Sequence, residues 1–325
     1  MKIYKIGIIG CGGIAQKMAA TLEKMKGVER YAVASRNQEK AEAFANKWGF
    51  TKAYGSYEEL ASDPEVDLIY IATPHAMHYD NAHMCIEKGK PVLCEKAFTA
   101  NARQAEDLLA FAKEKGVFIT EAIWTRYMPL SLKIQELLKE GVIGTPYTLS
   151  ANLSYPISNK ERIIRPELAG GALLDIGVYT LNFAAMAFGS DIAETHSVCQ
   201  KTQTGVDAQE SITLFYKDGR MATLQSSIYA KSDRMGVISG DKGHLIVENI
   251  NCPESVRVVD ENYKTIAVYH ALEQISGYEY QVYASIEAIE KGWLESPYMP
   301  HDETLRIMKQ MDNLRKEWGV IYPCD

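Results

Sequence analysis

Two hydrophobic periods alternate along the N-terminal third of the chain. Short apolar runs occur at Lys5–Ile9, Glu29–Ser35, Lys52–Tyr54, Asp67–Ala72, Pro91–Cys94 and Val117–Thr120. They are too short for helices and bounded by turn residues, so they read as buried strands. Between them the apolar positions recur at helical spacing, as in Ala41, Phe44, Ala45 and Trp48. Asn37, Ser56 and Asn101 stand where helices need an N-cap, and Gly116 where one needs to stop. Strand and helix in strict alternation predict a doubly wound parallel sheet, an α/β fold, over residues 1–122.

The pattern changes after Ala122. Helical spacing is expected over Ser131–Glu140, and over Asp175–Phe188 after Gly170-Gly171. Strand-like runs follow at Tyr147–Tyr155 and, from Ser197 onward, at Glu210–Tyr216, Met221–Tyr229, Arg234–Ser239, His244–Asn249, Val256–Val259 and Thr265–Tyr269. Asp218-Gly219 and Asp241-Lys242-Gly243 supply hairpin turns. Residues 123–325 are therefore expected to be an α+β domain on a large, mostly antiparallel open sheet, with helices over Tyr278–Lys291 and Thr304–Trp318.

Composition narrows the partners. The 42 acidic against 35 basic residues give a net charge of −7, which argues against a nucleic-acid surface. No apolar run suggests a membrane span. The six cysteines form no C-x-x-C pair and read as reduced thiols of a cytoplasmic protein. No metal site is expected; His75 and His78 have no cysteine or carboxylate cluster beside them.

The most informative stretch is Gly10-Cys11-Gly12-Gly13-Ile14-Ala15, a G-x-G-x-x-A turn between a strand and a helix. In that context it predicts a dinucleotide site, with the pyrophosphate at the helix N-terminus. The end of the second strand carries Ser35, then Arg36, with Lys40 a turn further on. No carboxylate is there to hold a ribose 2′-hydroxyl, and the bases suit a 2′-phosphate, so NADP is favoured and NAD remains possible. Ala72-Thr73-Pro74, with His75 and His78, and Glu95-Lys96 follow the ends of two further strands, where such sheets bind ligands.

These motifs together resemble the Gfo/Idh/MocA oxidoreductase family. The resemblance rests on GCGGIA, on Ile71–Tyr79 (IATPHAMHY), Cys94–Asn101 (CEKAFTAN), Glu121–Pro129 (EAIWTRYMP) and Gly170–Tyr179 (GGALLDIGVY). It is strongest to the branch holding dimeric dihydrodiol dehydrogenase and NADP-dependent xylose dehydrogenase. It implies that Lys96 serves nicotinamide and substrate, that Trp124 and Arg126 line the cofactor, and that Asp175 and Tyr179 match a D-x-x-x-[H/Y] pattern. It implies a homodimer through the C-terminal sheet.

The expected reaction is hydride transfer between nicotinamide and a hydroxyl carbon of a sugar, polyol or trans-dihydrodiol. Tyr179 takes the hydroxyl proton, an ammonium such as Lys96 favours the phenolate, and Asp175 orients a substrate hydroxyl or Lys96. Four residues apart, Asp175 and Tyr179 are expected on one helical face. Arg162 and Arg165 are expected to face solvent. The alternative is a regulatory protein that binds NADP without catalysis.

Overall fold

The first strand, β1 (Tyr4–Ile9), is inner because Ile6, Ile8 and Ile9 can all be buried at once. In this computed structural model, which describes residues 2–325, it lies in a six-stranded sheet. The elements run α1 (Gly13–Lys24), β2 (Val28–Ala34), α2 (Gln38–Trp48), β3 (Lys52–Tyr54), α3 (Tyr57–Ser62), β4 (Leu68–Ile71), α4 (His78–Glu87), β5 (Val92–Glu95), α5 (Ala102–Lys115) and β6 (Ile119–Ala122). The sheet order is β3-β2-β1-β4-β5-β6, every pair parallel. All carboxyl ends therefore reach one edge, and the order reverses between β1 and β4, where such sheets open a crevice.

The helix boundaries follow from local chemistry. Asn37, Ser56 and Asn101 accept the backbone N–H of Lys40, Glu59 and Gln104. Gly49 and Gly116 end α2 and α5 in the left-handed conformation.

The chain divides into two compact units. The first extends to Ile123 and takes in Ile275–Lys309, so this late segment does not stay with the rest of residues 123–325. It contains α9 (Glu279–Glu290) and the start of α10 (His301–Trp318). Its ties are specific: Thr21 Oγ1 meets Ser276 Oγ at 2.7 Å, Tyr4 Oη donates to Glu290 at 3.0 Å, and Ile119 N donates to Leu294 O at 3.1 Å.

The second unit comprises Trp124–Gln274 and Gln310–Asp325. It holds a 3₁₀ turn (Trp124–Tyr127), α6 (Pro129–Lys139), β7 (Pro146–Ser154), the one-turn α7 (Glu161–Ile164) and α8 (Val178–Phe188). Then come β8 (Ile192–Lys201), β9 (Asp207–Tyr216), β10 (Met221–Ser227), β11 (Gly236–Gly240), β12 (Gly243–Glu248), β13 (Ser255–Asp260) and β14 (Thr265–His270). The eight strands lie in the order β14-β13-β12-β11-β7-β10-β9-β8. Five neighbouring pairs are sequential antiparallel hairpins, as the turn residues imply. The exception is β7, which enters between β10 and β11 and pairs parallel with β10.

One face of this sheet, with Leu149, Leu214, Ala222, Leu224, Ile238, Leu245 and Val258, is buried. The other carries Val198, Phe215 and Val268 in the open, among Thr148, Ser150, Thr223 and Gln225. The segment Pro166–Phe188 passes a length-and-composition test for a membrane span, with mean hydropathy 1.4, although its helix is broken at Ala169 (φ +52°) and Gly171 (φ +123°). Its apolar window is 83% buried, as befits a core helix whose hydrophobic residues have protein on every side.

One polar cluster fixes the β3–α3 corner. Asp63 accepts from Lys52 Nζ at 2.8 Å, Tyr54 Oη at 2.6 Å and Glu65 N at 2.9 Å. Burial alone would raise its pKa, but these donors outweigh it and hold the carboxyl at about 2. A depressed carboxylate adds stability above its unfolded pKa of about 4, and that gain is lost as pH falls through 2. Asp63→Asn is therefore expected to melt below the parent at pH 7, with the gap closing between about pH 4 and pH 2 in a series of thermal melts.

Candidate active site

The turn from β1 to α1 is built for a phosphate. Gly10 has φ +102°, and a Cβ there would meet Ala72 O at 2.9 Å, so no other residue fits without moving backbone. Around Gly13 a Cβ would meet nothing within 4 Å, so this side of the cradle is open. α1 starts after Gly12 with no side-chain cap and no acid in its first turn, while Ile14 and Ala15 lie within it. Its first N–H groups and positive dipole end remain for an anion, which fits a bound pyrophosphate. Ala15 is fully buried, which permits close packing under β1.

Beside this turn the structure gathers the residues expected at the adenosine ribose. Ser35 is nearly buried at the end of β2, and Arg36 and Lys40 are exposed. Burial raises the Cys11 thiol, opposed by the Lys40 ammonium and by a hydrogen bond with Ser35. Burial likewise raises Tyr57, opposed by the Arg36 guanidinium and a hydrogen bond with it. Cys11, Ser35, Arg36, Lys40 and Tyr57 thus form one neighbourhood. Tyr57 was not singled out from sequence, where it reads only as the first residue of a capped helix.

The loops after β4 and β5 are tied together by His78. Its Nδ1 lies 2.9 Å from Ala97 O and its Nε2 2.8 Å from Thr73 O. The ring is wholly buried, which lowers its pKa. A neutral ring donates to one of these carbonyls and lies against the other, so His78 sits between the Ala72-Thr73-Pro74 and Lys96-Ala97 loops. His75 is also buried, edge-on to His78 at 5.7 Å. Asn81 donates to Thr73 Oγ1 at 3.1 Å, a further support the sequence pattern did not flag.

At the end of β5 the Glu95 carboxylate accepts from Tyr70 Oη and from Lys96 N. The Lys96–Ala97 peptide is cis. Glu121, buried at the end of β6, accepts from Phe98 N at 3.2 Å and so braces the same loop. Lys96 itself is half-buried at the carboxyl edge of the sheet.

The second unit collects Trp124, Arg126, Asp175 and Tyr179 on elements around α8. Trp124 Nε1 donates to Tyr179 Oη at 3.1 Å, and Tyr179 is 8% exposed. An N–H aimed at a phenolic oxygen stabilises negative charge there. Arg126 Nε donates to Asn182 Oδ1 at 2.5 Å, so its buried guanidinium is aimed by a residue one turn past Tyr179.

Asp175 differs from expectation. Its carboxylate takes both terminal nitrogens of Arg162, at 2.7 and 3.4 Å, so Arg162 does not simply face solvent. Residues Leu173–Gly177 form a π turn, so the α-helical face assumed for Asp175 and Tyr179 is not the one present. Arg165 is exposed and pairs with Glu161 at 2.8 Å. His301 reaches Ile119 O at 2.9 Å and lines, with Leu109, Lys113, Trp293, Pro300 and Leu305, a cavity of about 640 Å³ that contains none of the expected site residues. Among the described residues no group of three or more His, Cys, Asp or Glu side chains can hold a metal.

A parallel sheet with an uncapped glycine turn, a basic rather than acidic ribose end and a tyrosine held by an indole define an NAD(P)-dependent oxidoreductase. Family models agree in both halves. Residues 4–122 match the oxidoreductase family with an NAD-binding Rossmann fold, and residues 131–246 the GFO/IDH/MocA C-terminal domain. The chain belongs to the Gfo/Idh/MocA family. It is similar to trans-1,2-dihydrobenzene-1,2-diol dehydrogenase of Xenopus tropicalis, 35% identical over 98% of this chain and 99% of that one. The human enzyme of the same name is 33% identical over 98% of both chains.

Among solved structures, a 3-ketoreductase from Actinomadura kijaniata, in complex with NADP and TDP-benzene, matches with TM-score 0.86 at 25% identity, covering 96% of this chain and 97% of that one. An aldose–aldose oxidoreductase from Caulobacter crescentus shares the fold, with TM-score 0.87 at 20% identity over 98% of both chains.

The basic end of β2 makes a direct prediction. Arg36→Ala is expected to raise the dissociation constant for NADP by on the order of tenfold, the scale of one charge-assisted contact, and to leave that for NAD nearly unchanged. Calorimetric titration with each cofactor checks this.

Proposed function

We propose that this enzyme oxidises a hydroxyl carbon of a sugar, polyol or trans-dihydrodiol, with NADP preferred over NAD, and that Tyr179 is its proton acceptor. The observation that carries the reading is the Trp124 indole donating to the Tyr179 oxygen at 3.1 Å in a nearly buried setting. When bound, NADP⁺ supplies the hydride acceptor. The glycine turn and α1 hold its pyrophosphate, and Ser35, Arg36 and Lys40 its 2′-phosphate. Lys96 stabilises negative charge on the reacting oxygen. Tyr179 takes the hydroxyl proton as hydride leaves the same carbon, so the alcohol becomes a carbonyl with its electrons balanced. Asp175, gripped by Arg162, accepts from a second substrate hydroxyl.

The dihydrodiol dehydrogenases that share a third of its residues support a substrate with adjacent hydroxyls. Six free thiols suit a cytoplasmic setting. The open sheet face with Val198, Phe215 and Val268 supports a homodimer formed through it.

The test is the nicotinamide absorbance with NADP and, separately, NAD, across pentoses, hexoses, inositols and trans-dihydrodiols. Turnover with NADP is expected, and Tyr179→Phe is expected to keep NADP affinity while losing on the order of a hundredfold or more in kcat. Near-normal turnover in that variant removes Tyr179 from the mechanism. Silence across the panel despite tight NADP binding favours the regulatory reading. In light scattering the parent is expected at twice the chain mass, and Phe215→Glu at the chain mass.

A further inference from the structure

The helix carrying Asp175 and Tyr179 begins irregularly. Over Leu173–Gly177 it is a π turn, and Val178 N donates back to Leu173 O. Such turns recur at functional sites and need something to hold them.

What holds this one is on β9. Asp207 is wholly buried, and its Oδ2 accepts from Leu173 N at 2.5 Å. Gly171 passes so close that a Cβ there would meet Asp207 Oδ1 at 2.2 Å. Glu210 is 3% exposed and lies beneath Gly177, where a Cβ would sit 2.6 Å from its Oε1. Burial raises Asp207 to about 6, with the N–H groups of Leu173 and Ala172 opposing the rise. Burial also raises Glu210, with the neighbouring Asp207 carboxylate adding to the rise. One carboxyl thus anchors the start of the π turn and the other closes off its end.

We propose that Asp207 and Glu210 are positioning residues: anchoring Leu173 N–H and seating Gly177, they impose the π turn and so set the angle between Asp175 and Tyr179. The inference rests on the reading of Tyr179 as proton acceptor. Both side chains are buried against the backbone of the turn rather than open to solvent.

Two readouts test it. In Asp207→Ala, amide hydrogen exchange is expected to accelerate over residues 172–179 while β10 and β11 keep their protection. With the substrate found above, kcat is expected to fall by on the order of tenfold or more and KM for NADP to stay within about twofold, since small misplacements act on the chemical step. Asp207→Asn, whose amide oxygen still accepts from Leu173 N–H, is expected to restore most of both. Gly177→Ala pushes a methyl against Glu210 and is expected to accelerate the same exchange, with Glu210→Ser in the same chain reversing it.

Unchanged exchange over residues 172–179 in Asp207→Ala overturns the proposal, as does unchanged kcat. If Asp207→Ala does not fold, failure of Glu210→Ser to rescue Gly177→Ala overturns it. Retained turnover in Tyr179→Phe instead defeats the reading of Tyr179, and the exchange result still stands apart from it.

Discussion

The first unit depends on a backbone constraint: β1 must become α1 within three residues while passing under the Ala72 carbonyl. Only a residue without Cβ and with a positive φ makes that passage at Gly10. The parallel register then does the rest. Ile9 pairs with Ala34 and with Ile71, and Ile71 pairs with Cys94. Gly10, Ser35, Ala72 and Lys96 therefore follow the last paired residues of four adjacent strands, along one edge. The start of α1, Ser35 with Arg36, and Lys96 reach that edge because the sheet is parallel, and an antiparallel sheet would send alternate strand ends the other way.

The second unit solves a different problem. It has to hold a carboxyl group and a tyrosine on an otherwise apolar helical segment. The helix is buried on most sides, so the polar groups near its start are served by protein: Arg162 for Asp175, Trp124 for Tyr179, Asn182 for Arg126 and Asp207 for the backbone. A buried charge without such partners is costly, whereas a carboxylate gripped by a guanidinium or by backbone N–H groups is tolerated. Glu210, buried beneath Gly177, has its pKa raised by that burial.

Much of this was legible before any coordinates. Asn37, Ser56 and Asn101 announced helix starts because capping is a local interaction, written within four residues. The hairpins at Asp218-Gly219 and Asp241-Lys242-Gly243 were visible for the same reason. What was hidden is non-local. The insertion of β7 between β10 and β11 pairs residues some seventy positions apart, and no turn encodes it. The return of residues 275–309 to the first unit rests on scattered bonds such as Thr21 to Ser276. The spacing of Asp175 and Tyr179 was read with α-helical geometry because nothing within the helix signals a π turn; its cause sits on β9.

On the proposed reading, in which Asp175 faces a substrate hydroxyl, the Arg162–Asp175 pair bears on what the enzyme accepts. A carboxylate already held by a guanidinium stays ionised and can only accept hydrogen bonds. A group placed against it must donate, which a sugar or diol hydroxyl does and a carbonyl or ether oxygen does not. An anionic substituent facing Asp175 is repelled, while one turned toward the half-exposed Arg162 would have to take the guanidinium from Asp175 and so disturb the carboxylate it leaves behind. The pair therefore discriminates in favour of neutral, hydroxyl-rich molecules. It does so through an interaction wholly inside the second unit, separate from the basic residues that follow β2.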